Sequence, residues 1–145
     1  MVLWAGPASA TKPVPGPDFE VTLPAGLACA DFDLTIEGTG GSRVERVFTD
    51  QYGNVVRSIS AGTGSALTYT NETTQASMST RSNGAVGRTF FNADGTLTQV
   101  MTGHNLLILF PTDTPAGPST TLHVGRIVIK VDPQDPNVPT TLLSA

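Results

Sequence analysis

The chain has 145 residues and a mass of 15.1 kDa, one domain's worth of sequence, and a compact chain of this size hides about 70% of its unfolded surface without help from metals or disulfides. Only 14% of its residues are charged, against 39% hydrophobic, and the net charge is -4; soluble proteins usually carry about 25% charged residues, so the polarity here comes from Thr, Ser, Gly and Asn. The eight basic residues are scattered singly among twelve acids, which argues against nucleic-acid binding. The longest clean apolar run, Leu106 to Phe110, is far short of the roughly 20 residues of a spanning helix.

The chain opens with Val2, Leu3 and Trp4 followed by Ala8-Ser9-Ala10, which has the small-x-small form of a signal cleavage site without a basic n-region ahead of it. Residues 1–10 are read as a signal-peptide remnant, so that the mature, extracellular protein starts near Thr11. Residues 11–18 form a Pro-rich extended lead-in, with prolines at 13, 15 and 17. Residues 19–145 are the single domain. The lone cysteine, Cys29, allows no internal disulfide and no cysteine-based metal site, and reads as a small buried hydrophobe.

From Phe19 onward turn signals recur about every ten residues, and the stretches between them are rich in Val, Ile, Thr and aromatics, which predicts an antiparallel all-β domain. Phe19 to Leu23 and Phe32 to Glu37 alternate strictly, with one buried and one wet face. Gly38 to Ser42 is expected to turn the chain into Val44 to Thr49, and Asp50 to Asn54 to reverse it. Strands follow at Val55 to Ser60, Ser65 to Asn71 and Ala76 to Ser82. The last is nearly all small or polar and is the expected edge.

Asn83-Gly84 is the strongest short hairpin signal, and Asn92 to Gly95 is nearly as good. They bracket a strand at Ala85 to Phe91 and precede another at Thr96 to Thr102. Leu106 to Phe110 lacks alternation, as a strand covered on both faces does. Pro111 to Ser119 is the one long ordered loop. Thr120 to Val131 is the longest strand, and its apolar phase flips at Gly125-Arg126 as at a β-bulge. Val138 to Ser144 adds a last short strand.

Nothing shows sustained helical periodicity. The expected architecture is an antiparallel meander curled around a single apolar face and closed as a small β-barrel, with a β-sandwich as the alternative. A weak echo between Phe48 to Gly53 and Phe91 to Gly95 is read as two hairpins solving the same turn problem.

Catalytic signatures are missing. Gly64-Ser65-Ala66 is not a nucleophile elbow, no P-loop, H-E-x-x-H, EF-hand or dinucleotide fingerprint occurs, and Asp33 and Glu37 share the wet face of one strand instead of facing each other across a cleft. Asn71-Glu72-Thr73 matches the N-glycosylation sequon. His104, in Thr102-Gly103-His104-Asn105, reads as a residue that satisfies a backbone group at a strand kink, with pocket lining as the alternative. His123, between Leu122 and Val124, is placed on the solvent face.

Ala28-Cys29-Ala30-Asp31-Phe32, the Asn92 to Leu97 turn, Thr102-Gly103-His104-Asn105 and Thr121 to Arg126 together resemble small exported actinobacterial β-rich proteins of unknown function. The resemblance spans residues 19 to 131. It implies a second cysteine near the C-terminus, which this sequence lacks, and it implies no activity.

Two functions are consistent with this reading. One is an exported non-enzymatic β-domain that binds a small molecule or cell-surface component, or self-associates through strand edges. The other is a lipocalin-like barrel enzyme of the cyclase or isomerase kind, holding an apolar small molecule in its cavity. Neither calls for a cofactor or metal. Tyr69, Arg88, His104 and Asn105 are the candidate ligand-binding residues, with no catalytic residue assigned.

Overall fold

The computed structural model describes residues 14–81, 84–133 and 140–145. The expected signal remnant, the first three residues of the Pro-rich lead-in, Ser82 and Asn83, and the start of the expected last strand lie outside them. The strands are β1 (Val14–Pro15), β2 (Phe19–Leu23), β3 (Leu34–Thr39), β4 (Ser42–Thr49), β5 (Val55–Thr63), β6 (Ala66–Asn71), β7 (Ser77–Thr80), β8 (Gly84–Phe91), β9 (Leu97–Leu109), β10 (Ser119–Val131) and β11 (Thr141–Ser144).

The protein is all-β, as its alternating apolar pattern predicts, but neither of its two antiparallel sheets closes into a barrel. The larger runs β1-β4-β5-β8-β9-β10-β11, with the two-residue β1 at its rim, and the smaller runs β2-β3-β6-β7. The arrangement is sandwich-like.

Pairing register explains why closure fails. β3 pairs with β6 from Leu34 opposite Asn71 to Thr39 opposite Ala66, and β4 resumes with β5 at Ser42 opposite Thr63, with no residue gained or lost. Leu67 opposite Thr80 likewise continues as Thr63 opposite Gly84, and Phe19 opposite Gly38 as Pro15 opposite Ser42. The expected meander is therefore present, but it is folded along a crease that splits its first four strands between two sheets. Strands that pass from one sheet to the other at a bend are how packed sheets make corners.

Glycines mark this crease across the sheet. Arg43 lies opposite Gly62, Gly62 opposite Ala85, Ala85 opposite Gly103, and Gly103 opposite Gly125. Gly41 has φ +84°, and a Cβ there would sit 2.9 Å from the Thr63 carbonyl oxygen; Gly103 has φ +104°, and its Cβ would sit 2.5 Å from the Gly84 carbonyl oxygen. Both features exclude other side chains. Accordingly, Gly38 to Ser42 bends the chain between sheets and does not reverse it. The strands flanking the expected Asn83-Gly84 hairpin, β7 and β8, pair with β6 and β5 and not with each other. β7 forms the edge of the smaller sheet, as its small polar residues indicate.

The crease also bends the β9–β10 hairpin. Leu107 lies opposite Thr121, eight residues along β10 from Ile129, a gap of about 26 Å in a straight strand. Yet Leu107, Leu109 and Ile129 share one buried cluster, with Met101, Val131 and Leu142 packed against it. The hairpin tip folds back onto β11, where Leu142 donates its N–H to the Thr114 carbonyl at 2.7 Å. Buried Asp113 pins the loop between β9 and β10 by accepting the Phe110 and Thr140 amides, each at 2.6 Å. This is the ordered loop expected at Pro111 to Ser119.

The other face of the same segment presents Leu106 and Ile108 to a second cluster, built on Ala28, Leu34, Ile36 and Tyr69 with Cys29 packed against it. Leu106 to Leu109 is thus covered on both faces, and the single apolar face expected from sequence is in fact two cores. The Thr120 hydroxyl donates to the Ala28 carbonyl at 2.9 Å and links the units.

Two further expectations fail at the crease. β9 and β10 pair without a register shift from Ser119 to Val131, so Gly125 makes no bulge. The apolar phase flips there because the hairpin's buried face changes as it bends. For the same reason His123 is half-buried, while Leu122 is 41% and Val124 69% exposed.

The two echoing turns share their geometry. Gly53 donates to the Asp50 carbonyl and Asp50 to that of Asn54, as Gly95 does to Asn92 and Asn92 to Thr96. Bonds from the Asn54 and Tyr52 amides hold the Asp50 carboxyl below its ordinary 3.8. The Thr96 hydroxyl and amide, with Lys130 nearby, do the same for Asp94.

Two predictions follow from the crease and the turns. In urea unfolding, Gly103→Ala loses more than about 2 kcal/mol, because steric overlap adds to the positive φ, whereas Gly125→Ala, with φ +127° and open space around it, loses only about 1 kcal/mol. A depressed carboxyl pKa stabilises above the unfolded value and stops doing so as pH falls through the folded one. Stability therefore declines below about pH 3.8, and Asp50→Asn with Asp94→Asn flattens that decline in acid titrations followed by circular dichroism.

Candidate functional site

Directly opposed residues in antiparallel strands share a face, and alternate residues share it along each strand. Glu45 opposite Ser60, Ser60 opposite Gly87, and Gly87 opposite Met101 therefore lie on one side of the larger sheet, as do Ser58, Thr89 and Gln99 in the next row. They line a hollow of about 270 Å³ beside the crease, with Arg43 and Asn105 at its end.

The hollow occupies the same side of the sheet as the Leu107–Leu109–Ile129 cluster. That side is therefore divided: its β9–β10 half is filled with apolar side chains, and its β4–β5–β8 half is open and polar. Ser58 is buried. Asn105 is half-buried, and its Nδ2 is sealed from solvent without a hydrogen-bond partner among the described residues.

A second depression of about 440 Å³ adjoins the first and shares Ser42, Arg43, Glu45 and Thr63 with it. Its distinctive wall is Phe19, 44% exposed, whose ring covers Gly38 where any Cβ would collide. The two form one groove along the crease, hydroxyl- and amide-lined at one end and aromatic at the other. The Ser42 and Thr63 hydroxyls, 3.3 Å apart, stand at their junction.

The four residues singled out from sequence are not brought together. Tyr69 is 7% exposed inside the core between the sheets, with its hydroxyl unpartnered among the described residues. Arg88 borders the hollow through its strand, but it is exposed and alternates onto the opposite face, in register with Ile59 and Val100. Exposed His104 lines a separate depression of about 90 Å³ with Leu106 and Leu122. Only Asn105 reaches the groove with its side chain.

Ser58, Ser60, Thr89 and Gln99 escaped sequence reading because their alternation with Arg57, Ile59, Arg88 and Val100 reads as an ordinary wet face. The signal lay in the bend, which turns that face inward. Asn71, of the sequon, uses its side-chain oxygen to accept the Thr73 and Thr74 amides at 2.9 and 3.1 Å in the β6–β7 turn. No group of His, Cys, Asp and Glu suited to a metal occurs among the described residues.

No family model, curated protein or solved structure matches this chain.

A buried amide without a partner costs stability, about 1–3 kcal/mol by mutational measures. Asn105→Val, similar in volume and better suited to a strand, is expected to raise the unfolding free energy by up to about 1 kcal/mol in denaturant titration.

Proposed function

We propose that the protein is an exported, non-enzymatic β-domain that binds a neutral, hydroxyl-rich ligand of saccharide type in the crease groove. The observation that carries this reading is the polar lining of the hollow, in which Ser58, Ser60, Thr89 and Gln99 stand with Asn105 on one face of the sheet. Hydroxyls and side-chain amides both donate and accept, so this lining suits ligand hydroxyls without calling for a charge on the ligand. The exposed face of Phe19 at the far end suits the apolar face of a sugar ring, and the bent sheet fixes both ends without an ordering cost on binding.

The chemistry of the lining favours binding over turnover. Glu45 is its only carboxylate, whereas glycoside hydrolysis takes two across the scissile bond, and the lining has no imidazole to activate Ser58 or Ser60. An enzyme acting on an apolar molecule suits the site less well, because the apolar half of this face is filled by Leu107, Leu109 and Ile129. The Ala8-Ser9-Ala10 cleavage pattern and the likeness to exported actinobacterial proteins support an extracellular setting.

Titration calorimetry and saturation-transfer NMR against a panel of neutral oligosaccharides test the proposal. The wild type is expected to bind at least one member, with Asn105→Val and Gln99→Ala each weakening it by about tenfold or more, the value of one lost buried hydrogen bond. Absence of binding across the panel at millimolar sugar, or binding unaffected by both substitutions, overturns it.

A further inference from the structure

The face of the larger sheet opposite the groove gathers the cations that look scattered in sequence. Arg46, Arg57, Arg88, Arg126 and Lys130 all fall on it by register, five of the chain's eight basic residues. None of the three pairing rows that hold them contains an acid.

The cations alternate with apolar residues. Arg57 lies between Phe48 and Phe90, with its guanidinium 4.3 Å from the Phe48 ring centroid; Arg46 and Arg88 flank Ile59. Phe90 is 37% and Val86 36% exposed, and no residue of these rows is buried. Nothing in the described chain covers this face, and on a protein of net charge -4 it is a local inversion of sign.

The complementary surface belongs to the same molecule. Six of the twelve acids, Asp18, Glu20, Asp31, Asp33, Glu37 and Glu72, lie in the smaller sheet and its loops, all exposed. Positions 16–42 and 64–80 contain no basic residue. Glu20 lies directly opposite Glu37 on adjacent strands, a like-charge pair that costs stability unless a cation bridges it, and neither has an ion-pair partner among the described residues. Thr and Ser fill the neighbouring positions of that face, Thr22 bonded to the buried Thr35 and Thr68 to Ser79.

We propose that the basic face of one molecule docks on the acidic outer face of the smaller sheet of a second copy. Because the two patches are different surfaces, the contact is head-to-tail, and it propagates into a ring or an open filament instead of stopping at a symmetric dimer. Arginines seated among Phe48, Phe90 and Val86 are partly desolvated by the contact, which strengthens their attraction for Glu20 and Glu37. The interface is independent of the groove and does not rest on the ligand proposed there.

Sedimentation equilibrium reads the proposal directly. The wild type is expected to self-associate at about 50 mM salt and to dissociate toward monomer at about 500 mM, where exposed charges are screened within a few ångströms. Arg46→Glu with Arg126→Glu, and separately Glu20→Lys with Glu37→Lys, should each lower the association constant at least about tenfold. An equimolar mixture of the two variants should restore complexes, since each supplies the face the other has lost. All four positions are exposed and lie outside the groove, so an unchanged circular dichroism spectrum serves as the folding control.

A wild type monomeric at both salt concentrations, association insensitive to salt, or a mixture that stays monomeric overturns the proposal. So does a monomeric wild type that binds phosphatidylserine vesicles or a single-stranded oligonucleotide through Arg46 and Arg126, because the face then serves another anionic partner.

Discussion

The structure depends on a steric constraint more than on any single attraction. At the crease, neighbouring backbones come so close that a Cβ at Gly41, Gly62 or Gly103 would overlap a carbonyl of the adjacent strand. A continuous hydrogen-bonded meander would otherwise twist gradually and seek closure, since its edges are liabilities. Here it is folded sharply instead. The pairing register passes through the fold unchanged, so the bend sacrifices little of the ladder, and β2, β3, β6 and β7 become a second layer over the far half of β9.

Most of the packing follows from that fold. β9 is bent at Gly103, and the two faces of its far half are claimed by different cores, Leu106 and Ile108 by one and Leu107 and Leu109 by the other. A strand buried on both faces has no polar positions to spare, which is why its sequence shows no alternation. The remaining inward face, along β4, β5 and β8, has no apolar partner because the hairpin tip and β11 reach only as far as Ile129 and Met101. Serines, Thr89 and Gln99 line the unfilled part, and a groove remains beside the crease.

The sequence disclosed strand content, the meander, the doubly covered strand, the β7 edge and the ordered loop, because each is written in short-range alternation or in turn residues. It did not disclose the crease. Turn signals every ten residues are of two kinds, and composition cannot separate them: Asp50 to Asn54 and Asn92 to Thr96 reverse the chain, while Gly40-Gly41, Gly62, Gly103 and Gly125 let it bend and go on. The distinguishing trace is a glycine near positions 41, 62, 84, 103 and 125, one in each successive strand, a spacing that has meaning only once those strands are laid side by side. The crease decides where the site lies as well. Tyr69 and His104 belong inside a barrel if the sheet closes smoothly, and go to a core and a surface depression when it folds. Asp33 and Glu37 are exposed, as their shared phase on one strand indicates, but the counterpart in Arg46, Arg57 and Arg88 is invisible in the sequence, since those residues converge only through cross-strand register.

The same fold sorts charge. In the smaller sheet β2 and β3 carry Glu20 and Glu37 and no base, and β6 and β7 are uncharged; across the crease β4, β5 and β8 bring Arg43, Arg46, Arg57 and Arg88 with one acid, Glu45. The strand charges of one layer are thus all negative and those of the other mostly positive, and stacking the bent strands side by side concentrates the two signs on separate surfaces. With only 14% charged residues, little remains elsewhere to blur the segregation. At physiological ionic strength the Debye length is about 8 Å, shorter than a molecule of this size. The two patches therefore hardly attract each other within one chain and act chiefly on whatever lies against them, while the neutral groove between them stays available to a ligand without net charge.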